Sequence, residues 1–265
     1  MYCRISLFCS LLFFLHGCKK SYVNVTSKII GHAATGLKMP NAIYHDNSEA
    51  GIAYTQQLPF CAGVEVDVRM DQSGNLWLFH DETLSPEIAE SGCIETHTSS
   101  TLAQFHYRGL HQEPLFALTA ASATLFQGKF TFFDIKPWNA CENTVKEAVE
   151  FKNALLALGM DSTSFGIIVP NETYFQALKN TFNVFLSIQS ISDLSNNFLE
   201  NEPKLKGIVV RNSAISEAEV NFLKSIHKEV VIYEVRSAKG IKDGLQKNPN
   251  YLITDDVKLT VGLLP

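Results

Sequence analysis

The sequence has few of the features that mark nucleic-acid-binding or zinc-binding proteins. Acidic residues outnumber basic ones, 27 against 22, so the formal net charge of −5 gives no electrostatic reason to expect a nucleic-acid partner. The six cysteines form neither a Cys-x-x-Cys pair nor a Cys/His spacing typical of zinc sites. Only two tryptophans accompany eighteen phenylalanines, which favours packing in a core over a stacking platform for bases.

The sequence also lacks an apolar run long enough to span a bilayer. The run from Ile5 to Leu15 is too short for this and follows Arg4, which is the pattern of a signal peptide. The next residues, Leu15-His16-Gly17-Cys18, resemble a bacterial lipobox, in which cleavage precedes a cysteine that receives diacylglycerol. We therefore expect a signal peptide at 1–17, a tether at 18–27 and a lipid anchor at Cys18.

This interpretation predicts an exported protein, held in the bacterial cell envelope on its periplasmic or outer surface. A plain secretory signal with a chance cysteine is the alternative, and it predicts export without the anchor. In both cases Cys3 and Cys9 leave with the signal peptide. If Cys18 is acylated, an odd number of cysteines remains, and at most one disulfide can form within the chain. The spacing does not choose the pair among Cys61, Cys93 and Cys141.

Nine short β-rich runs follow, most of them separated by helix-compatible segments. The runs are Lys28–His32, Gly63–Arg69, Leu76–His80, Phe130–Lys136, Phe165–Val169, Val184–Gln189, Gly207–Arg211, Val230–Val235 and Tyr251–Thr254. Segments such as Asn143–Leu158, Glu172–Asn180 and Ser216–Lys228 are typical of helices. This alternation predicts parallel strands that are connected by crossover helices.

The third run is the exception, because only residues 70–75 separate it from the second. That connection is too short for a parallel crossover, so the third run should return as a hairpin strand. The other eight runs predict an α/β fold, a single (β/α)8 TIM barrel over residues 28–265 with an extra hairpin strand after its second strand. The polar segment from Glu82 to Gln112 either shapes the barrel mouth or is a surface excursion.

Titratable residues stand at or near the ends of four of these runs. They are His32, Glu65, Asp67, His80 and Asp134. In (β/α)8 barrels catalytic groups sit at the strand ends. Three carboxylates suit a hard divalent cation such as Ca or Mg, and two imidazoles suit a general acid and a general base. An outward-facing strand with solvated charges would also fit the spacing of Glu65 and Asp67.

Six short motifs stand in a characteristic order. They are Gly31-His32-Ala33-Ala34 with His45-Asp46-Asn47-Ser48, Glu65-Val66-Asp67-Val68, Asp71-Gln72-Ser73-Gly74, His80-Asp81, Asp134-Ile135-Lys136 after Glu113-Pro114-Leu115, and Ile253-Thr254-Asp255. Over nearly all of the chain after the signal peptide, this pattern resembles the glycerophosphodiester phosphodiesterase family, within the phosphoinositide phospholipase C-like phosphodiesterase superfamily. The resemblance implies metal-dependent hydrolysis of a small-molecule glycerophosphodiester to glycerol 3-phosphate and an alcohol.

The resemblance also implies a role for each residue. His32 and His80 would flank the phosphodiester, one as nucleophile or base and the other as acid. A calcium or magnesium ion would bind to the carboxylates Glu65, Asp67 and Asp134. Lys136 would lie beside the phosphate.

Three departures from the family pattern concern the substrate. Ala33 stands where the family has an arginine that contacts phosphate, and Arg69 is a candidate substitute because it shares a strand face with Asp67. Asp134 replaces a glutamate, and Tyr233-Glu234-Val235-Arg236 replaces an aromatic-Thr-Val-Asn segment. Two further functions therefore stay open: a catalytically silent barrel that binds a phosphorylated or polyol ligand, and a phospholipase-type lyase acting on lipid.

Two residues outside the predicted site have ordinary interpretations from sequence. His45 lies in the loop after the first strand; an approach to the barrel mouth is open, but we expect a solvated loop histidine. Asp255 follows the last strand and is expected to be a capping or turn residue.

Overall fold

The computed structural model describes residues 26–39, 42–109, 111–161 and 164–264. Its strands are β1 (Lys28–Gly31), β2 (Cys61–Met70), β3 (Leu76–Leu78), β4 (Phe116–Leu118), β5 (Phe130–Ile135), β6 (Trp138–Asn139), β7 (Thr144–Val145), β8 (Phe165–Val169), β9 (Val184–Ser187), β10 (Leu205–Arg211), β11 (Glu229–Val235) and β12 (Tyr251–Thr254). Its α-helices are α1 (Glu49–Gln57), α2 (Ser99–Leu102), α3 (Ala148–Ala157), α4 (Glu172–Leu178), α5 (Asn196–Asn201), α6 (Glu217–Ser225), α7 (Ala238–Gln246) and α8 (Val257–Val261).

Eight parallel strands close into a barrel. In spatial order they are β1, β2, β5, β8, β9, β10, β11 and β12, and β1 pairs with both β2 and β12 to complete the ring. Helices connect most successive strands, so the predicted (β/α)8 TIM barrel is confirmed. All nine predicted strands are present, with ends that differ by at most two residues.

A short antiparallel extension is attached to the second barrel strand. β3 returns against β2 with Val68 opposite Leu78, which confirms the predicted hairpin. β4 then adds to β3 with Leu76 opposite Leu118. The sequence did not predict β4 or the small β6–β7 hairpin, because runs of two or three residues are too short to show a strand pattern.

Aromatic rings fill the inside of the barrel. The ring centroid of Phe132 lies 5.0 Å from that of Phe185 and 5.0 Å from that of Tyr251, and all three side chains are buried. Gly166 makes room for them, since a Cβ at this position would lie 2.8 Å from the Phe132 ring. The phenylalanines of the barrel therefore act as core residues, as the sequence predicts.

The polar segment from Glu82 to Gln112 folds over the extension with a small core of its own. Trp77 and Phe79 from the extension pack with Leu84, Ile94 and Tyr107 from this segment, and all are buried. The segment is thus an ordered insertion at the barrel mouth rather than a loose surface excursion.

His45 is held against this insertion, contrary to the prediction of a solvated loop histidine. Its ring stacks on Tyr107 with centroids 3.7 Å apart, and its Nε2 lies 3.1 Å from Glu87 Oε2. Burial opposes a charge on the ring, but hydrogen bonding and attraction to Asp46 and Glu87 raise the pKa of His45 to about 9. The error arose because Tyr107 and Glu87 are distant in sequence.

No helix among the described residues is long and apolar enough to cross a membrane. The predicted signal peptide and Cys18 lie outside these residues. The lipid anchor therefore stays a prediction from the sequence.

One disulfide, between Cys93 and Cys141, ties the insertion to the β6–β7 hairpin. The two Cα atoms are 6.0 Å apart and the residues are 48 positions apart in sequence. Among the cysteines of the described residues, Cys61 stays free and buried. The structure thus selects one pair of the three that the sequence left open.

We expect the double change Cys93→Ala and Cys141→Ala to lower the free energy of unfolding by about 2–4 kcal/mol, because the unfolded chain loses a constraint on a long loop. Denaturant unfolding measures this change. The wild-type protein in reducing agent is the control and should unfold like the variant. An unchanged free energy of unfolding in both would show that this disulfide does not stabilise the fold.

Candidate active site

A cavity of about 270 Å³ opens at the carboxyl ends of the barrel strands. His32, Glu65, His80, Asp134 and Lys136 line one part of it. Tyr233, Glu234 and Arg236, from the segment that departs from the family pattern, also line it, as do Ser187 and Arg211, which the sequence did not single out. The cavity is where barrel enzymes carry their catalytic groups.

Strand register brings the three predicted metal ligands together. Asp67 on β2 pairs directly with Asp134 on β5, and Glu65 lies two residues earlier on the same face of β2. Each of the three carboxylates offers an oxygen, and these oxygens lie within 4.8 Å of one another. The alternative of an outward-facing strand with solvated charges is excluded, because Glu65 and Asp67 are buried, cluster with Asp134, and Glu65 lines the cavity.

The donor set fits a hard divalent cation. Glu65 Oε1 is buried and has no hydrogen-bond partner among the described residues. Asp67 Oδ1 lies 3.1 Å from Lys136 Nζ but does not accept a hydrogen bond in this geometry. A cation that coordinates carboxylate oxygens would satisfy both atoms, since an unpartnered buried oxygen is otherwise destabilising.

The pKa values of the three carboxylates are shifted in different directions. Burial, followed by the charge of Asp67, raises the pKa of Glu65 to about 8. Burial also acts on Asp67, but Lys136, His80 and the hydrogen bond from Asn47 outweigh it and lower the pKa of Asp67 to about 2. Burial raises the pKa of Asp134 above its ordinary value. The ionised form of Glu65 is therefore strongly disfavoured, by burial and by the neighbouring charge of Asp67.

Lys136 partly neutralises this cluster. Its Nζ donates a 2.6 Å hydrogen bond to Asp134 Oδ2 and lies 3.1 Å from Asp67 Oδ1. Burial works against the charged amine, but attraction to Asp134 and Asp67 raises the pKa of Lys136 well above its ordinary value. Lys136 is consequently a fixed positive charge on the cavity wall.

Each of the two predicted catalytic histidines is oriented by an aspartate. Nδ1 of His32 lies 2.8 Å from Asp255 Oδ1, and Nδ1 of His80 lies 2.8 Å from Asp81 Oδ1. Both rings line the cavity, with Nε2 of His32 3.9 Å from Glu65 Oε2. A carboxylate on Nδ1 fixes the ring and leaves Nε2 as the nitrogen for proton transfer or nucleophilic attack.

Asp255 is a site residue, not the simple turn residue that the sequence suggested. Its Oδ1 is held by His32 and also accepts a 3.0 Å hydrogen bond from the Leu37 backbone N–H. Its Oδ2 accepts a 3.1 Å hydrogen bond from Arg236 Nε. Burial disfavours its charge, but the hydrogen bond from His32 and the charges of His32 and Arg236 together outweigh burial and lower the pKa of Asp255. Conversely, burial opposes protonation of His32, yet Asp255 and Glu65 raise its pKa to about 9.

Arg69 does not line the cavity, and the prediction that it contacts substrate is wrong. Its Nη1 donates to Glu95 Oε1 at 2.8 Å and to the Trp138 carbonyl at 2.9 Å, while its Nη2 donates to the His80 carbonyl at 3.1 Å. Two residues along a strand correspond to roughly 6.6 Å, which carries Arg69 past the ligand cluster and under the insertion. Arg69 therefore supports the backbone of His80.

The turn after β1 supports the cluster through its backbone. Ala33 and Ala34 have φ values of 42° and 74°, in the left-handed region, and the Ala33 N–H donates a 2.9 Å hydrogen bond to Glu65 Oε2. Gly31 permits this turn, because a Cβ there would lie 2.0 Å from the Ala34 carbonyl oxygen. Asn47 completes the support: its Nδ2 donates to Asp67 Oδ2 at 2.8 Å and its Oδ1 accepts from the Asp67 N–H at 2.9 Å.

Comparison with known proteins gives structural rather than sequence matches. No family model matches the sequence, and no curated protein matches it. An Oleispira antarctica phosphodiesterase, solved with its product sn-glycerol 3-phosphate, superposes with a TM-score of 0.74 at 17% identity over 89% of this chain and 96% of its own.

Two further solved structures are glycerophosphodiester phosphodiesterases. The Agrobacterium tumefaciens protein has a TM-score of 0.68 at 15% identity, and the match covers 89% of this chain and 99% of that one. The Thermotoga maritima protein has a TM-score of 0.67 at 18% identity, with 89% and 98% covered. The resemblance stated from the motifs is thus confirmed at the level of the fold.

We expect Glu65→Gln to remove most of the rise in melting temperature that calcium or magnesium causes. In chelator at neutral pH the variant should melt no lower than wild type, because burial makes the ionised form of Glu65 unfavourable. The folded pKa of Glu65 lies above its unfolded value, so ion-free wild type should lose stability as pH rises from about 4.5 to 8, and the variant should lose less.

Thermal unfolding with and without the ion, from pH 5 to pH 8.5, measures these effects. Glu90→Gln is the control, because Glu90 is exposed on the insertion and away from the ligand cluster. It should keep both the ion-dependent rise and the pH dependence of wild type. A full ion-dependent rise in Glu65→Gln would contradict the metal site.

Proposed function

We propose that this protein hydrolyses glycerophosphodiesters to glycerol 3-phosphate and an alcohol, with a bound calcium or magnesium ion. The observation that carries the proposal is a pair of aspartate-held histidines on one cavity with three clustered carboxylates and a lysine. Solved phosphodiesterases with the same fold support it, and one of them holds glycerol 3-phosphate.

The two histidines divide the chemistry of the P–O bond. In one route an imidazole removes a proton from the attacking water, the P–O bond to the alcohol breaks, and the other imidazole protonates the departing alkoxide. In the other route the imidazole itself attacks the phosphorus as the alkoxide leaves, and water then cleaves the P–N bond to release glycerol 3-phosphate and the free histidine. Asp255 and Asp81 keep Nε2 of His32 and of His80 free for these transfers. Lys136 places a positive charge beside the phosphoryl oxygens.

Glu65, Asp67 and Asp134 are the residues that would hold the divalent ion. When bound, such an ion stabilises negative charge on the phosphoryl oxygens. It would also offset the burial and the charge of Asp67 that together raise the pKa of Glu65. The Ala33 N–H donates a hydrogen bond to Glu65 Oε2 and so helps to fix the position of this carboxylate.

A second candidate is a catalytically silent barrel that binds a phosphorylated or polyol ligand. The observation that favours it is Ala33, which is buried and offers no side-chain donor directly after His32. This candidate keeps the cavity and the ion site but predicts no turnover of any diester.

We expect His32→Ala and His80→Ala each to reduce the hydrolysis of glycerophosphodiesters by at least a hundredfold, since general acid–base catalysis contributes about 10²–10⁴. The ion-dependent rise in melting temperature should persist in both. The assay is the release of glycerol 3-phosphate from a panel of deacylated phospholipids, with and without ion.

His106→Ala is the matched control, because His106 is exposed on the insertion and its Nδ1 lies 3.0 Å from the Gln104 carbonyl. It should keep wild-type rates. Wild-type rates in His32→Ala or His80→Ala would refute the mechanism, and an inert wild-type protein that still binds glycerol 3-phosphate would favour the silent barrel.

The proposed setting of this reaction is the bacterial cell envelope, with the barrel anchored by a lipid at Cys18. The short apolar run and the sequence Leu15-His16-Gly17-Cys18 support this setting. We expect Cys18→Ser to move the protein from the membrane fraction to the soluble exported fraction, as measured by fractionation and immunoblotting. Retention of the variant on salt-washed membranes would contradict the anchor.

A further inference from the structure

Among the described residues, three lysine and arginine side chains line the cavity, and they differ in how far their charges are already neutralised. Lys136 is paired with Asp134 and Asp67. Arg211 is paired with Glu234, with Nη1 at 3.3 and 3.4 Å from the two carboxylate oxygens, and its Nε donates to Tyr233 Oη at 3.2 Å. Both of these groups have partners in place.

Arg236 is the third cation, and its guanidinium is only partly engaged. Nε donates to Asp255 Oδ2 at 3.1 Å, while its two terminal nitrogens have no hydrogen bond to a described residue. The side chain is 58% exposed although Asp255 itself is completely buried. Arg236 lines the cavity, and its terminal nitrogens leave strong donors for a ligand bound there.

Asp255 sets the position of Arg236 relative to His32. One carboxylate oxygen of Asp255 holds His32 Nδ1 at 2.8 Å and the other holds Arg236 Nε at 3.1 Å. The imidazole and the guanidinium are thus held side by side on one buried group. Both side chains line the same cavity, so an anion bound there can contact the two of them.

Strand β11, which ends directly before Arg236, is irregular where it reaches the cavity. Tyr233, Glu234 and Arg236 all line the cavity, although consecutive side chains of a regular strand point to opposite faces. The φ of Glu234 is 65°, and the pairing of β11 with β12 shifts register between Ile232 and Val235. Left-handed backbone at a residue other than glycine is unfavourable and is concentrated at functional sites.

We propose that Arg236 binds the phosphate of the substrate and of the monoester product, on the His32 side of the cavity. This inference rests on the proposed function, because it assigns the phosphate contact of that same site. It gives the cavity an anion-binding arginine although the residue after His32, Ala33, has no donor side chain and is buried. Terminal guanidinium nitrogens suit paired phosphate oxygens.

The test compares Arg236→Gln with wild type in two measurements. The first is the Kd of glycerol 3-phosphate in the presence of magnesium, measured by calorimetry, and the second is the separate kcat and KM for the diester that wild type hydrolyses best. We expect Arg236→Gln to raise both Kd and KM about ten- to hundredfold, the loss typical of a charge-assisted hydrogen bond. Arg236→Lys should recover part of this loss, since it restores the charge without the guanidinium fork.

Arg211→Gln removes the same charge from the same cavity and should raise Kd less, because Glu234 already neutralises Arg211. Arg108→Gln, on the exposed surface of the insertion, controls for net charge and should leave Kd unchanged. An effect of Arg211→Gln as large as that of Arg236→Gln would overturn the proposal, since it would indicate a general electrostatic effect.

The remaining outcomes distinguish two roles of Arg236: binding the phosphate, and holding Asp255 in position for His32. An unchanged Kd in Arg236→Gln, with a lower kcat and a shifted pH profile, would overturn the proposal and make Arg236 a positioning residue for His32. A wild-type protein that binds no glycerol 3-phosphate would overturn it as well. If wild type turns over no diester but binds glycerol 3-phosphate in an Arg236-dependent way, the phosphate contact stands and the hydrolase function fails.

Discussion

Three carboxylates forced together in a buried barrel mouth are the constraint on which this structure depends. The pairing of Asp67 with Asp134 across β2 and β5 sets their separation, and the alternation of β2 adds Glu65 to the same face. Burial makes the proximity of these charges unfavourable. Each member of the cluster has a stabilising partner: Lys136 for Asp134, the Ala33 N–H for Glu65 and Asn47 for Asp67. The residues around the barrel mouth are therefore placed to stabilise these negative charges.

The barrel was predictable because its strands are short runs rich in β-branched and aromatic residues, most of them separated by helix-compatible segments. Strand ends were less certain, and the β-structures of two or three residues were missed because they show no periodicity. The sequence also left the role of the insertion undecided between a part of the barrel mouth and a surface excursion. Its core pairs Trp77 and Phe79 with residues up to Leu115, and polar residues between them hide this pattern.

The residue types of the site were predictable from the sequence, whereas the residues that hold them in position were less so. Residues at strand ends, such as His32 and Asp134, are visible because position and residue type agree. Asp255 is also at a strand end, but its hydrogen bond to His32 joins residues 223 positions apart, and no local signal reveals such a pairing. The prediction for Arg69 failed for a different reason. Arg69 shares a strand face with Asp67, but this does not show how far along the strand the cavity extends.

The contact between His32 and Asp255 also joins the two ends of the barrel domain. His32 follows the first strand and Asp255 the last, and these strands pair side by side. During synthesis on a ribosome, seven strands of the barrel can be made while His32 still lacks the carboxylate that orients it. The candidate site is therefore completed by residues that follow the last barrel strand, and a chain that lacks them, however well its early strands have folded, carries an unassembled site.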